Sequence, residues 1–292
     1  MAMASIPAGL AYLLLVNLLL PLQAVAAFNR IEFGLRLVMF ALTGLAFAAM
    51  MPSVALMVGA SLLAHVYGIA AVWKVLRTEG GIARGHASRE LLREQLPFAL
   101  RAYLGSLFSF LVVRSDILMV QAIGGNSEAG HYAIAVTLAD LIYMLPLSAG
   151  MLLFPRLAAM SDPTARRRAT WQAAGVIAAA MIVISIIAAA LAEVAVGLLY
   201  GAAFLPAVPM FQILLGAVSV LGVSGILSNH LAATGFPWSA VWVWGVGFVV
   251  NVALNLALVP GMGGKGAALA SIVAYALVLL VQCYLVLREQ DT

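Results

Sequence analysis

Apolar runs of membrane-spanning length follow one another along this sequence with little polar stretch between them. Few folds tolerate that pattern. In hydrocarbon every backbone N–H and C=O must find a partner within the protein, and a helix of about 20 mostly apolar residues meets that demand within one segment. The chain is 65% hydrophobic and 9% charged, with a mean hydropathy of +1.11, whereas an ordinary soluble domain carries roughly 25% charged residues. The expected fold class is therefore all-α, a polytopic transmembrane helix bundle. Water-exposed domains have no room.

Composition closes other routes as well. The single cysteine, Cys283, lies in an apolar run, so no disulfide framework or thiolate metal cluster is expected, only an inert thiol. A net charge of +4 would suggest nucleic acid if the cations formed a surface patch, but they sit in short loops between apolar runs. No nucleic-acid partner, metal or organic cofactor is expected.

Loop signals divide the chain into nine candidate spans: Ile6 to Phe28, Phe33 to Met51, Ser53 to Val75, Pro97 to Ile123, Gly130 to Phe154, Ala169 to Leu199, Ala207 to Thr234, Trp238 to Val259 and Gly266 to Leu287. The apolar stretch Leu37 to Trp73 is too long for one span, and Pro52 is its natural break. Lysine and arginine near span ends are retained in the cytoplasm. With the N-terminus outside, inner loops hold Arg30, Arg36, Lys74, Arg77, Arg84, Arg89, Arg93, Arg101, Arg156, Arg166, Arg167, Arg168 and Arg288, 13 of the 15 basic residues. Lys265 is left outside and Arg114 within a span. The expected location is a bacterial inner membrane, with the C-terminus cytoplasmic. The first run could be a cleaved secretory signal, but its cations follow it instead of preceding it, so a true span is expected.

A weak internal repeat accompanies this topology. Ala26-Ala27-Phe28, Met51-Pro52 and Leu76-Arg77 march in step with Ala232-Ala233-Thr234, Val259-Pro260 and Leu287-Arg288, in spacing and hydropathy more than identity. Parallel repeats of this kind build two transporter lobes around a cavity. The expected organisation is residues 1–77 as the last three helices of an N-terminal lobe, 78–96 as a cytoplasmic linker and 97–288 as a six-helix C-terminal lobe. By that arithmetic three helices, on the order of 100 residues with their loops, are missing from the front.

Ionisable groups inside a span cost at least ~2.5 kcal/mol each on insertion scales, so they face partners or wet cavities. Arg114, Asp116 and Asp140 lie well inside. Counting from Gly124 and Gly130 places Arg114 and Asp140 at one depth, about 15 Å below the outer surface. Asp116 sits about 200° around the helix from Arg114 and must point to another helix. Thr137, Asp140 and Tyr143 recur every three residues as a polar stripe, with Pro146 available to kink the helix below; this is the expected cavity-facing surface. Arg114 either attracts an anionic head group such as a pyrophosphate, which suits a guanidinium fork, or merely pins two helices through Asp140. Asn251 and Asn255, one turn apart with Gly247 and Trp244, form a further polar face. Gln212, Ser219 and His230 trace another stripe. Both fit interhelical hydrogen bonding better than ligand contact. His65 reads as a packed or hydrogen-bonded histidine, and Glu193 reaches interfacial water.

Gly261-Met262-Gly263-Gly264-Lys265-Gly266 has the glycine spacing of a dinucleotide fingerprint. It lies in an outer turn between spans, with no strand before it and no acidic residue about 20 residues on. A tight turn followed by close packing at Gly266-Ala267-Ala268 is the better reading.

Arg114-Ser115-Asp116, Gly130-His131-Tyr132 with Ala133 and Ala135, Pro155, Ala232-Ala233-Thr234-Gly235, Asn251 to Asn255, Pro260 and Gly266-Ala267-Ala268-Leu269-Ala270 carry a resemblance that covers about Pro97 to Leu287. In these the chain resembles the polysaccharide and O-antigen flippase family, within the superfamily that also holds multidrug exporters and peptidoglycan lipid flippases. The resemblance implies a two-lobed alternating-access carrier that moves an undecaprenyl-pyrophosphate-linked oligosaccharide from the cytoplasmic to the outer leaflet. It also implies membrane lipids and other polysaccharide assembly proteins as partners. The chain departs from the family in lacking the first three helices. A cation-coupled multidrug exporter, with Asp140 as its ion-responsive carboxylate, is the rival reading, and an inactive fragment is a third. An intramembrane sugar-phosphate transferase would need grouped carboxylates or a histidine-based nucleophile system. The 11 acidic residues are scattered instead, and His65, His86, His131 and His230 lack ligand spacing.

Overall fold

The computed structural model describes residues 2–19, 24–49, 53–79 and 89–288. The Pro52 break, Arg84, His86 and residues 80–88 of the expected linker lie outside them. The described residues form α1 (Ala2–Asn17), α2 (Val25–Ala48), α3 (Val54–Glu79), α4 (Arg89–Ala159), α5 (Pro163–Tyr200), a 3-10 turn (Ala202–Phe204), α6 (Ala207–Ala233), α7 (Trp238–Met262) and α8 (Gly264–Arg288). No strand occurs among them. Seven of these helices, α2 to α8, are long and apolar enough to cross a bilayer.

The 71 residues of α4 would extend about 105 Å if straight. They do not, because Gly125 breaks the helix with φ 83° and ψ 178°, and side chains 16 and 26 residues apart then meet across the bend. α4 is thus a hairpin of two limbs, each of crossing length. Backbone of this kind is open to glycine almost alone and costs other residues about 1–3 kcal/mol. A Cβ at Gly125 would touch nothing, so Gly125→Ala should lower stability by about that amount through the backbone alone, which thermal unfolding of the detergent-solubilised protein would measure.

Several boundaries differ from the hydropathy reading, α4 among them, which begins at Arg89 and not at Pro97. The first expected span, Ile6 to Phe28, is broken: α1 stops at Asn17, whose side-chain amide donates to Leu13 O at 2.7 Å, and a new helix starts at Val25. A short polar side chain that bonds to its own preceding turn competes with helix propagation, a signal that averaged hydropathy does not see. Arg30, Glu32 and Arg36 therefore lie in the first half of α2 and not in a loop. Likewise α5 begins at Pro163, six residues before the expected start. Asp162 caps it by accepting from Thr164 N at 2.9 Å, and proline occupies the first turn. Arg166, Arg167 and Arg168 are helical.

The chain divides into two compact units, Met1–Ser88 and Arg89–Thr292. In the first, α3 packs on both α1 and α2, burying Tyr12, Val16, Leu35, Ala64 and Val72. The Tyr12 hydroxyl donates to Glu32 Oε1 at 2.8 Å, and Glu32 Oε2 pairs with Arg36 at 3.3 Å. His65 bonds to the Ser61 carbonyl oxygen at 2.6 Å and meets the Tyr12 ring edge-on. In the second unit α6 is the centre, packed against α4, α5 and α8, and it is the most buried of the seven crossing helices. α7 and α8 close the bundle against α4.

Polar stripes fasten these helices. Gln212, Ser219 and His230 of α6 all reach α5: to Ala189 O at 3.2 Å, Ser185 Oγ at 3.0 Å and Thr170 Oγ1 at 2.7 Å. Gln282 of α8 accepts from Ser224 at 2.7 Å and donates to Ser228 at 2.8 Å, both on α6. In an apolar solvent such bonds hold helices together at about 0.6–2 kcal/mol each.

Candidate functional site

Within the second unit the helices alternate in direction, so chain order sorts their ends. Gly125 and the α7–α8 turn at Gly263 lie at one end, where Glu128, Lys265, Pro206 and Gly261 line one depression of about 510 Å³. The starts of α4 and α5 and the ends of the second α4 limb and α8 lie at the other, and they carry Arg93, Arg101, Arg156, Arg166, Arg167, Arg168 and Arg288.

Between these ends sits the ion pair. Arg114 on the first limb of α4 and Asp140 on the second meet at 2.8 Å, their side chains 44% and 37% exposed. The hairpin brings them together, though not at one depth. Helix resumes immediately after Gly125, well before Gly130, so Asp140 lies roughly 22 Å from the bend and Arg114 roughly 16 Å. The arginine's length spans the difference.

Asp116 points the other way. It is 2% exposed and accepts from the Tyr132 hydroxyl at 2.6 Å and the Ser271 hydroxyl at 3.1 Å, tying both limbs of α4 to α8. Its own helix supplies a further donor, Ile117 N at 2.9 Å. So two acidic residues of one hairpin have opposite settings: Asp116 is a buried junction satisfied by hydroxyls, and Asp140 is a partly open carboxylate satisfied by a cation.

The rest of the expected stripe divides in the same manner. Thr137 is exposed and donates to Ala133 O at 2.8 Å. Tyr143 is half-buried beside Gly225 of α6. Helical dihedrals continue through Pro146, whose ring seats against Gly222 of α6. Asn251 and Asn255 are fully buried, but their hydrogen bonds run within α7: the Asn255 amide donates to Asn251 O at 2.9 Å and to Asn251 Oδ1 at 3.1 Å. The expected bond to a neighbouring helix is not made, and the buried Asn251 Nδ2 and Asn255 Oδ1 are left without a hydrogen-bond partner. The structure therefore joins Arg114 to Asp140 on one exposed side, with Thr137 and Tyr143 on the same helical stripe, and keeps Asp116, Asn251 and Asn255 in the interior.

One residue escaped the sequence reading. Glu128 accepts from Gly264 N at 2.8 Å, a carboxylate placed at the N-terminus of α8, where the helix dipole favours negative charge. Nothing local announces it, since its partner is 136 residues away. The glycine-rich Gly261–Gly266 segment is the end of α7, the turn at Gly263 and the start of α8, with no strand.

A family model described as polysaccharide biosynthesis protein matches residues 27–209, more than half of the chain. The chain belongs to that family. The match includes Arg114, Asp116 and Asp140 and ends before Asn251. In sequence the chain is similar to an uncharacterised membrane protein of Methanocaldococcus jannaschii, 23% identical over 240 residues, which is 81% of this chain and 47% of the relative. In three dimensions it is similar to the lipid II flippase MurJ in an inward closed conformation. The TM-score is 0.58 at 12% identity, over 87% of this chain and 54% of that one. At that identity the likeness is one of fold. The chain spans about half the length of the proteins it matches.

Proposed function

We propose that this polysaccharide biosynthesis family member is a carrier and not an enzyme. It moves an undecaprenyl-pyrophosphate-linked oligosaccharide, such as an O-antigen, capsule or exopolysaccharide unit, from the cytoplasmic to the outer leaflet of a bacterial inner membrane. The observation that carries this reading is the Arg114 guanidinium, placed mid-span on a crossing helix and 44% exposed. A charge so costly in lipid faces water or a ligand, and its planar fork matches the oxygens of a pyrophosphate. Thr137 and Tyr143 extend the contact surface, while Asp116 holds the helices behind it and Asn251 and Asn255 stay buried in α7. Residues 1–77 act as the end of one lobe and 97–288 as the other, with membrane lipids and polysaccharide assembly proteins as partners. The N-terminus lies outside and the arginine-rich end faces the cytoplasm. Engagement of Asp140 by Arg114 argues against a cavity built for cationic drugs.

Purified full chain in proteoliposomes should collapse the leaflet asymmetry of fluorescent undecaprenyl-pyrophosphate-linked oligosaccharide. Export of a cationic dye without movement of the lipid would overturn the reading. Labelling of Arg167→Cys, in a Cys283→Ser background, by an impermeant thiol reagent added to intact cells would overturn the orientation.

A further inference from the structure

An arginine that is to receive an anionic head group would be expected to stand free, yet Arg114 is occupied. Its partner Asp140 lies on the facing limb of the same hairpin, 2.8 Å away. The second carboxylate nearby, Asp116, is out of the competition because Tyr132, Ser271 and Ile117 N supply its hydrogen bonds. The bridge is also more open than a structural pin requires: the two side chains remain 44% and 37% exposed. The helices it joins are already held by the buried Asp116–Tyr132 bond and by packing of Val112, Val120, Ala135 and Ala139.

We infer that Asp140 is an exchange residue: it occupies the Arg114 fork in the empty carrier, yields it to the pyrophosphate, and takes it back to expel the product. This rests on the head-group reading of Arg114 above. Two anions cannot share one guanidinium fork at full strength, because each accepts the same N–H donors and they repel one another. Occupancy by Asp140 therefore lowers the apparent affinity by the fraction of time the fork is free. The same competition speeds release, since a carboxylate held within the hairpin returns at high effective concentration once the head group moves. A carrier needs both halves of this bargain, because a head group bound too tightly on one side never leaves on the other.

The probe is farnesyl pyrophosphate, a soluble polyprenyl pyrophosphate, titrated into the full chain in nanodiscs, with reconstituted flipping measured in parallel. Asp140→Asn keeps the side-chain shape and removes the competing charge. It should bind the probe about five- to tenfold more tightly and flip lipid-linked oligosaccharide several-fold more slowly, lowering KM and turnover together. Arg114→Ala should lose probe binding. If Arg114→Ala loses binding but Asp140→Asn weakens it or leaves it unchanged, the head-group reading stands and the exchange role falls. If Arg114→Ala binds normally, the head-group reading itself falls. Asp140→Ser serves as a second charge-removing variant. Should both Asp140 variants be too unstable to purify, or should Arg114→Asp with Asp140→Arg restore flipping, the pair is a pin and the proposal is overturned.

Discussion

Arg114→Ala should slow flipping of undecaprenyl-pyrophosphate-linked oligosaccharide by about a hundredfold or more, ~2.7 kcal/mol of lost interaction, while changing folding stability by no more than ~1 kcal/mol. The separation follows from the geometry of the pair. As a structural contact the Arg114–Asp140 bridge is part-exposed, and exposed pairs contribute at most about 1 kcal/mol. Asp140 left alone keeps access to water. As a ligand contact the same guanidinium supplies two parallel charge-assisted bonds to a dianionic group that displaces water from the fork as it binds. Arg114→Lys should fall between, roughly tenfold slow, because an ammonium keeps the charge and loses the fork. Initial flipping rates in proteoliposomes, set beside melting temperatures in detergent, check both halves. Equal losses of rate and stability would mean that Arg114 holds the fold.

What the sequence made legible was whatever hydrophobicity reports directly. The crossing helices of the second unit stand close to where apolar runs placed them, and the meeting of Arg114 with Asp140 followed from counting residues to a turn. The turn itself was placed some residues too broadly, since Asn126 to Ala129 looked like loop and is helix. In lipid, polar residues gain little from being left unpaired, so the chain keeps them helical to the very bend. The failures share a cause as well. Asn17, the last residue of α1, donates to Leu13 O, Glu128 caps α8 across 136 residues, and Gln282 joins two serines of α6. Each is a single polar residue without periodicity, and the partners of Glu128 and Gln282 are fixed only once the helices have packed. The α6 stripe Gln212, Ser219 and His230 was readable because it repeats along one face. Asn251 and Asn255 repeat too, but periodicity alone could not say that they would bond to each other.

Gly266→Ala should destabilise the protein by about 2–4 kcal/mol, the largest effect expected of any single added methyl group here. Gly266 stands in the first turn of α8, directly against the end of α7. A Cβ at this position would lie 2.6 Å from the Leu258 carbonyl oxygen and 2.7 Å from its carbon, inside van der Waals contact. A side chain in the way could rotate aside, but backbone within a helix cannot, so the two helices must separate. The Gly263 turn leaves no slack to let them do so, and the start of α8 is also held by Glu128. Overpacking of well-filled sites costs typically 1–3 kcal/mol, and here the loss of contacts made by the neighbouring buried residues Ala267, Ala268 and Ala270 adds to it. The control is Gly175→Ala, the same chemical change in the middle of α5 at an exposed site where a Cβ would meet nothing. There the better helix propensity of alanine should raise stability by up to about 1 kcal/mol. Opposite signs for the two substitutions, read from thermal unfolding in one detergent, would show that close approach of α7 and α8, and not glycine's flexibility, is what position 266 requires; a neutral Gly266→Ala would mean that the α7–α8 contact is looser than the geometry demands.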